Sequence, residues 1–198
     1  VRDQAIDVDQ ALEALKELPF TSLGYATIDN HRHLRTGAPE VIFCQGKTSE
    51  QIAGIVSAML KGGSNILGTR ASTEDFAAVQ AVCPEAEYNP LGRTIVIRRQ
   101  MLPVPDSYIC IITAGTSDLP VAQEAQSTAE ILGNRVEVVN DVGVAGIHRL
   151  FDRLELVRGA KVCVVAAGME GALASVIGGL VRSSAASGVK RANLAPNP

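Results

Sequence analysis

The stretch that decides the fold is Tyr108-Ile109-Cys110-Ile111-Ile112-Thr113-Ala114-Gly115-Thr116-Ser117-Asp118-Leu119-Pro120. Its first part, Tyr108 to Thr113, is a short continuous apolar run bounded by turn residues. That pattern predicts a strand buried on both faces, as in parallel sheets. Gly115 then permits a tight turn and close approach of a ligand to the backbone. Asp118 is placed to cap a helix, with Pro120 near its first turn.

Downstream, the pattern repeats. Residues 120–132 read as a helix closed by Gly133-Asn134, residues 135–140 as a second strand, and residues 144–157 as a second helix closed by Gly159. Residues 161–167 form a third predicted strand and residues 171–181 a third helix. Three βα units in succession predict a parallel α/β sheet with right-handed crossovers, spanning residues 104–198.

Upstream, Met101-Leu102-Pro103-Val104-Pro105-Asp106 reads as a linker, because it sets two prolines between periodic segments. Residues 1–100 read as a small α+β domain. Val8, Ala11, Leu12 and Leu15 share one face of a helix capped by Asp7 and ended by Pro19. Short strands are expected at 41–44, 65–68, 87–89 and 93–97. Helices are expected from Thr48 or Ser49 to about Leu60, and from Ser72 to about Val82.

Composition excludes several classes. Aromatic residues are 4% of the chain and Trp is absent, which leaves no stacking platform for single-stranded nucleic acid. A net charge of −3 argues against a nucleic-acid or anionic-membrane surface. No apolar run approaches the roughly 18 residues of a membrane span. The acidic, polar start does not read as a secretory signal, so a cytoplasmic location is expected. Cys44, Cys83, Cys110 and Cys163 form no C-x-x-C pair, which excludes a zinc knuckle or a thioredoxin motif. Cys110 and Cys163 sit in apolar runs and read as small buried hydrophobes in a reducing compartment.

Ligands of open parallel sheets bind beyond the carboxyl ends of the strands, and three segments fall there. Gly115, Thr116, Ser117 and Asp118 offer N–H groups and hydroxyls suited to a phosphate or carboxylate. Plain capping of a βα turn accounts for the same residues. In Asn140-Asp141-Val142-Gly143-Val144-Ala145-Gly146-Ile147-His148-Arg149, His148 can exchange a proton and Arg149 can clamp an anion. A solvent-facing helical pair is the alternative. In Ala167-Gly168-Met169-Glu170-Gly171, a carboxylate stands between glycines at a strand end. Partial burial would raise the pKa of Glu170 and suit it to acid–base work, whereas a solvated loop residue would not be so tuned.

In the first domain, Asp29, His31, Arg32, His33 and Arg35, with Lys47 nearby, form a dense charged segment that an anionic ligand would suit. A solvated loop is the alternative. A metal site is not expected, since only His148 remains as a third imidazole.

Taken in order, these motifs resemble a known family. Gly24-Tyr25-Ala26, the segment from Asp29 to Ile42, Gly46-Lys47-Thr48 and Leu67-Gly68-Thr69-Arg70-Ala71-Ser72 look like the first domain of the LarB family. Its second domain is resembled by three further stretches: Thr113 to Ala122, Asp141 to Leu150 and Gly168 to Leu173. That second domain is similar in turn to PurE-type aminoimidazole ribonucleotide carboxylases. In them the phosphate-binding turn resembles Gly115 to Asp118, and an Ala-His-Arg motif resembles Ile147-His148-Arg149.

The resemblance implies a three-layer αβα PurE-like domain in a homo-oligomer. It implies a carboxylase/hydrolase of nickel-pincer nucleotide biosynthesis that adds CO2 or bicarbonate to the pyridinium ring of nicotinic acid adenine dinucleotide and releases AMP. No tightly bound cofactor is implied beyond Mg2+ accompanying the substrate phosphates. Glu170 and His148 would serve catalysis. Gly115 to Asp118, Arg149, Gly168, Met169 and Gly171 would hold substrate, joined by Asp29, His31, Arg32, Arg35 and Lys47 from the first domain. The family's nucleophile is a cysteine. Here the chain runs from Val181 into Arg182-Ser183-Ser184-Ala185-Ala186-Ser187-Gly188-Val189, and Ala185 stands where that cysteine is expected. An aminoimidazole ribonucleotide carboxylase and a non-catalytic nucleotide-binding module are the other readings.

Overall fold

The computed structural model describes residues 20–30 and 32–181, apart from the side chains of Leu34 and Arg35. The expected helix at residues 8–17 lies outside the described residues, as does the segment around Ala185. The chain divides into two compact units. Among the described residues the first holds 20–88 and 94–100, and the second holds 89–93 and 101–181.

The first unit opens with an antiparallel pair, β1 (Phe20–Ser22) and β2 (Thr27–Asp29), followed by the short helix α1 (Arg32–Thr36). Its main sheet has the order β3-β4-β6-β5, from β3 (Val41–Phe43), β4 (Ile66–Thr69), β5 (Glu87–Asn89) and β6 (Thr94–Ile97). β3 and β4 are parallel, joined through α2 (Ser49–Met59), while β4 and β6 are antiparallel. Both this helix and α3 (Thr73–Val82) start with a reciprocal cap. The Thr48 and Ser72 hydroxyls accept from the N–H groups of Gln51 and Asp75, whose side chains accept from the cap N–H groups in return. The core is formed by residues such as Ile42, Ile52, Val56, Ile66, Val79 and Ile97.

The second unit is a parallel sheet of order β8-β7-β9, from β7 (Tyr108–Thr113), β8 (Arg135–Val139) and β9 (Val162–Ala166). The chain steps from β7 to one neighbour and then crosses back to the other. With right-handed crossovers, that reversal sends the intervening helices to opposite faces. They are α4 (Leu119–Ile131) after β7, the pair α5 (His148–Phe151) and α6 (Leu154–Gly159) after β8, and α7 (Ala172–Leu180) after β9. The fold is therefore mixed α/β with a parallel sheet, as expected of an αβα PurE-like domain. Cys110, Ile112, Leu150, Val157, Cys163, Leu173 and Ile177 build its core. Leu173 and Ile177 thus face the sheet, with Val176 and Leu180 packed partly buried against the same cluster.

One predicted element is corrected. Residues 144–157 are not a continuous helix: Val144–Gly146 is a 3-10 turn, and α5 and α6 are separated at Asp152 and Arg153. The buried Leu150 and Val157 satisfy the spacing of either arrangement, so periodicity could not tell them apart. Gly146 weighs against helix continuity in the first turn, costing about 1 kcal/mol relative to Ala inside a helix.

Candidate functional site

The reversal in strand order places a crevice at the carboxyl ends of the sheet, between β7 and β9. A cavity of about 240 Å³ lies there, and all three predicted turns line it. Gly115, Ser117 and Asp118 come from the β7 turn. Gly143, Val144, Ala145 and Arg149 come from the segment after β8. Gly168, Met169, Glu170 and Gly171 come from the β9 turn. Thr116 and His148 are exposed and are not among the lining residues.

The turns are laced together by specific bonds. Asp118 is buried, and its carboxylate accepts from the N–H of Gly115 at 2.9 Å and from the N–H of Gly168 at 2.9 Å. The expectation that this side chain caps the following helix is corrected, since it makes no bond to the first turn of α4. It instead closes its own turn and ties β7 to β9 across the crevice. Those two N–H groups are thereby spoken for, which leaves the anion-binding role to other donors of the turns.

Thr113, which sequence reading did not single out, is completely buried. Its hydroxyl donates to Asn140 Oδ1 at 3.3 Å and accepts from the N–H of Asp141 at 3.0 Å. The N–H of Gly143 donates to the Ala114 carbonyl at 2.9 Å, and a Cβ on Gly143 would stand 2.7 Å from that oxygen. Only glycine permits this approach between the β7 and β8 turns.

Arg149 is ion-paired with Asp141, whose backbone adopts φ 57°, a conformation uncommon for a non-glycine residue. The guanidinium lies where a side chain on Gly146 would be: a Cβ there would fall 2.7 Å from Arg149 Nε. Gly146 and Asp141 therefore fix the cation at the cavity wall. Asp141 was within the segment flagged by sequence, but its role came from the strained backbone, which sequence does not display.

Glu170 lies at the cavity but is exposed, so the burial that was to tune it is not met. Met169 beside it is almost wholly exposed, at 94%. The four cysteines are all free and buried. Burial pushes the Cys110 thiol up to about 12, with the neighbouring Cys163 adding to the effect, and burial raises Cys163 as well. These are inert core thiols, as their apolar surroundings predicted.

In the first unit the charged segment is not gathered around one cavity. Asp29 and His33 line a small cavity with Glu40, whose carboxylate accepts from the Asp29 N–H at 2.7 Å. Lys47 lines a different one with Phe43, Ile55 and Met59, and its ammonium donates to the Phe43 carbonyl at 2.8 Å. Lys47 is drawn back onto its own turn because a strand-end carbonyl is within reach of its flexible stem. Arg32 is exposed. His31 and the Arg35 side chain lie outside what is described. Among the described residues no three His, Cys, Asp or Glu side chains stand together as a metal site. No helix there is long and apolar enough to cross a membrane.

A doubly wound parallel domain with its cavity at the switch point is consistent with a PurE-like αβα fold. Residues 20–100 match the family described as LarB/PurE-like N-terminal domain. That match, over about two fifths of the chain, supports the resemblance to the LarB family. It is also 36% identical over 162 residues to an uncharacterized protein of Methanocaldococcus jannaschii, an alignment covering 78% of this chain and 63% of that protein. The chain thus spans less than two thirds of the length of this relative.

Proposed function

We propose that the second unit binds a pyridinium dinucleotide, nicotinic acid adenine dinucleotide, and presents its ring for carboxylation by CO2 or bicarbonate, with hydrolysis of the phosphoanhydride and release of AMP. The observation that carries this reading is the convergence of the three βα turns on one cavity walled by Arg149 and Glu170. Arg149 offers a cation to a phosphate or carboxylate, and Ser117 of the β7 turn lines the same cavity.

The ring carbon of a pyridinium is electron-poor and does not attack CO2. Addition of a thiolate to the ring gives a neutral enamine, whose carbon attacks CO2. Loss of the proton from that carbon and expulsion of the thiolate restore the aromatic ring. Glu170, at the cavity, is the group assigned to receive that proton. Mg2+ arriving with the substrate would be held by its phosphates. The thiolate is the missing part: the four cysteines are buried, and Ala185 occupies the position expected for the nucleophile. The sequence as it stands is therefore expected to bind the dinucleotide and to carboxylate it only when position 185 carries a cysteine.

The test is incubation of the chain and of its Ala185→Cys variant with the dinucleotide, bicarbonate and Mg2+, followed by mass spectrometry. A product heavier by one carboxyl group, with AMP, from the cysteine variant is the expected result. Binding by both proteins with turnover by neither favours the second reading, a non-catalytic nucleotide-binding module, which the buried cysteines support. Absence of binding by both overturns the proposal.

A further inference from the structure

Thr113 ends β7, and none of its surface reaches solvent. Valine has nearly the same shape and would fill that place in the core without a polar atom. A hydroxyl buried so deeply has to be hydrogen-bonded to offset its desolvation. A hydroxyl carries one proton. Here it goes to Asn140 Oδ1 at 3.3 Å, so the oxygen is left to accept from the N–H of Asp141 at 3.0 Å.

The next two N–H groups of the same turn, on Val142 and Gly143, donate to the carbonyls of Thr113 and Ala114 at 3.0 and 2.9 Å. Those acceptors are backbone, and any sequence would supply them. Only the bond to Asp141 depends on the side chain at position 113. Asp141 is also where the turn adopts a left-handed backbone, at φ 57°. Such a conformation persists in a non-glycine residue when its surroundings over-determine it. The Asp141 carboxylate in turn holds Arg149, and Arg149 lines the cavity between the β7 and β9 turns. One chain of contacts thus runs from a buried hydroxyl, through a strained backbone and a surface carboxylate, to the guanidinium at the cavity.

Resting on the proposed function for the part that Arg149 plays, we infer that Thr113 is a positioning residue. Its hydroxyl sets the backbone of Asp141 and, through the Asp141 carboxylate, the direction in which Arg149 faces the cavity. Thr113 meets no ligand itself, being fully buried and absent from the cavity lining. Without the hydroxyl the Asp141 N–H loses its acceptor, the left-handed turn relaxes and the guanidinium samples directions that miss the cavity. Orientation fixed in advance spares an anionic ligand the cost of ordering a long side chain.

The experiment compares the full chain with Thr113→Val and Thr113→Ser by two readouts. Calorimetric titration with inorganic pyrophosphate should show affinity falling about tenfold in Thr113→Val, the equivalent of one hydrogen bond of orientation. Thr113→Ser keeps both donor and acceptor and should stay within about twofold of the unaltered chain. The Arg149 Nε–H resonance in a heteronuclear NMR spectrum reads the same ordering with no ligand present. It should move towards the position of a free guanidinium in Thr113→Val and return in Thr113→Ser, a recovery that lost packing alone would not produce. Thr113→Ala also lacks the hydroxyl and should move the resonance in the same direction, which keeps the test open if a thermal melt finds the valine variant unfolded. A resonance that moves and returns supports the inference even where the unaltered chain binds no pyrophosphate, a result that sinks the functional reading alone. An unmoved resonance, pyrophosphate affinity unchanged in Thr113→Val, or a loss that serine does not restore overturns the inference.

Discussion

The two units use one local device to opposite ends. Each has a turn after a buried strand in which a carboxylate three residues along reaches back to the backbone: Ser72 to Asp75 in the first unit, Gly115 to Asp118 in the second. Asp75 also accepts from Ser49 at 2.8 Å, so it ties two adjacent helix starts together. Asp118 reaches instead to Gly168 on a strand across the crevice. The difference lies in topology. In the first unit β4 has an antiparallel neighbour, so the strand ends offer no reversal between parallel strands. In the second, all three strands point the same way and the order reverses, which opens a gap for a ligand. The same capping chemistry thus seals one sheet end and frames a cavity at the other.

Replacing the framing carboxylate should give the largest effect. Asp118→Ala leaves the Gly115 and Gly168 N–H groups unsatisfied and is expected to cost about 3 kcal/mol in denaturant unfolding, together with loss of nucleotide binding. Asp75→Ala should cost about 1–2 kcal/mol and leave binding unchanged. If both variants lose binding equally, the contrast between a sealing and a framing role collapses. Gly143→Ala comes next: its Cβ meets a backbone oxygen, so overpacking should destabilise by about 1–3 kcal/mol and weaken binding with it. Unchanged melting temperature and affinity would show that the β8 turn is not held against Ala114.

A smaller effect is expected with pH. The buried Cys110 thiol is pushed up to about 12, above the value of an exposed thiol. A raised pKa means that the folded state keeps a proton that the unfolded chain gives up. Its contribution is full below about pH 8.5 and falls as pH rises towards the folded value, at up to about 1.4 kcal/mol per unit. Unfolding in urea at about pH 8 and pH 10 should show this loss, and Cys110→Ala should flatten it. No thiol of the native protein should react with Ellman's reagent. Smallest of all, Asp141→Gly relieves the left-handed backbone and should change stability by less than about 1 kcal/mol, yet lower the affinity for phosphate-bearing ligands by freeing Arg149. A destabilised variant with full affinity would reverse that assignment.

Much of this was legible in the sequence, for identifiable reasons. The apolar run from Tyr108 to Thr113, short and bounded by turn residues, reads as a doubly covered strand, and the three glycine-bearing turns followed from strand ends. What stayed hidden depended on contacts between turns. Thr113 reads as one more β-former until its hydroxyl is seen holding Asn140 and Asp141. Asp118 reads as a cap until Gly168 arrives. The exposure of Glu170, the return of Lys47 to the Phe43 carbonyl and the break after Phe151 are outcomes that composition and spacing do not encode.

The bond from Gly168 to Asp118 joins residues fifty positions apart. It sets an order of events as the chain folds. The first turn can close on itself as soon as Asp118 meets Gly115, but the crevice has only one wall until β9 has docked beside β7. Closing so long a loop is slow compared with forming a helix or a single turn. Ligand affinity should therefore appear late in refolding, after most helical signal has returned, and its arrival would time the docking of the last described strand.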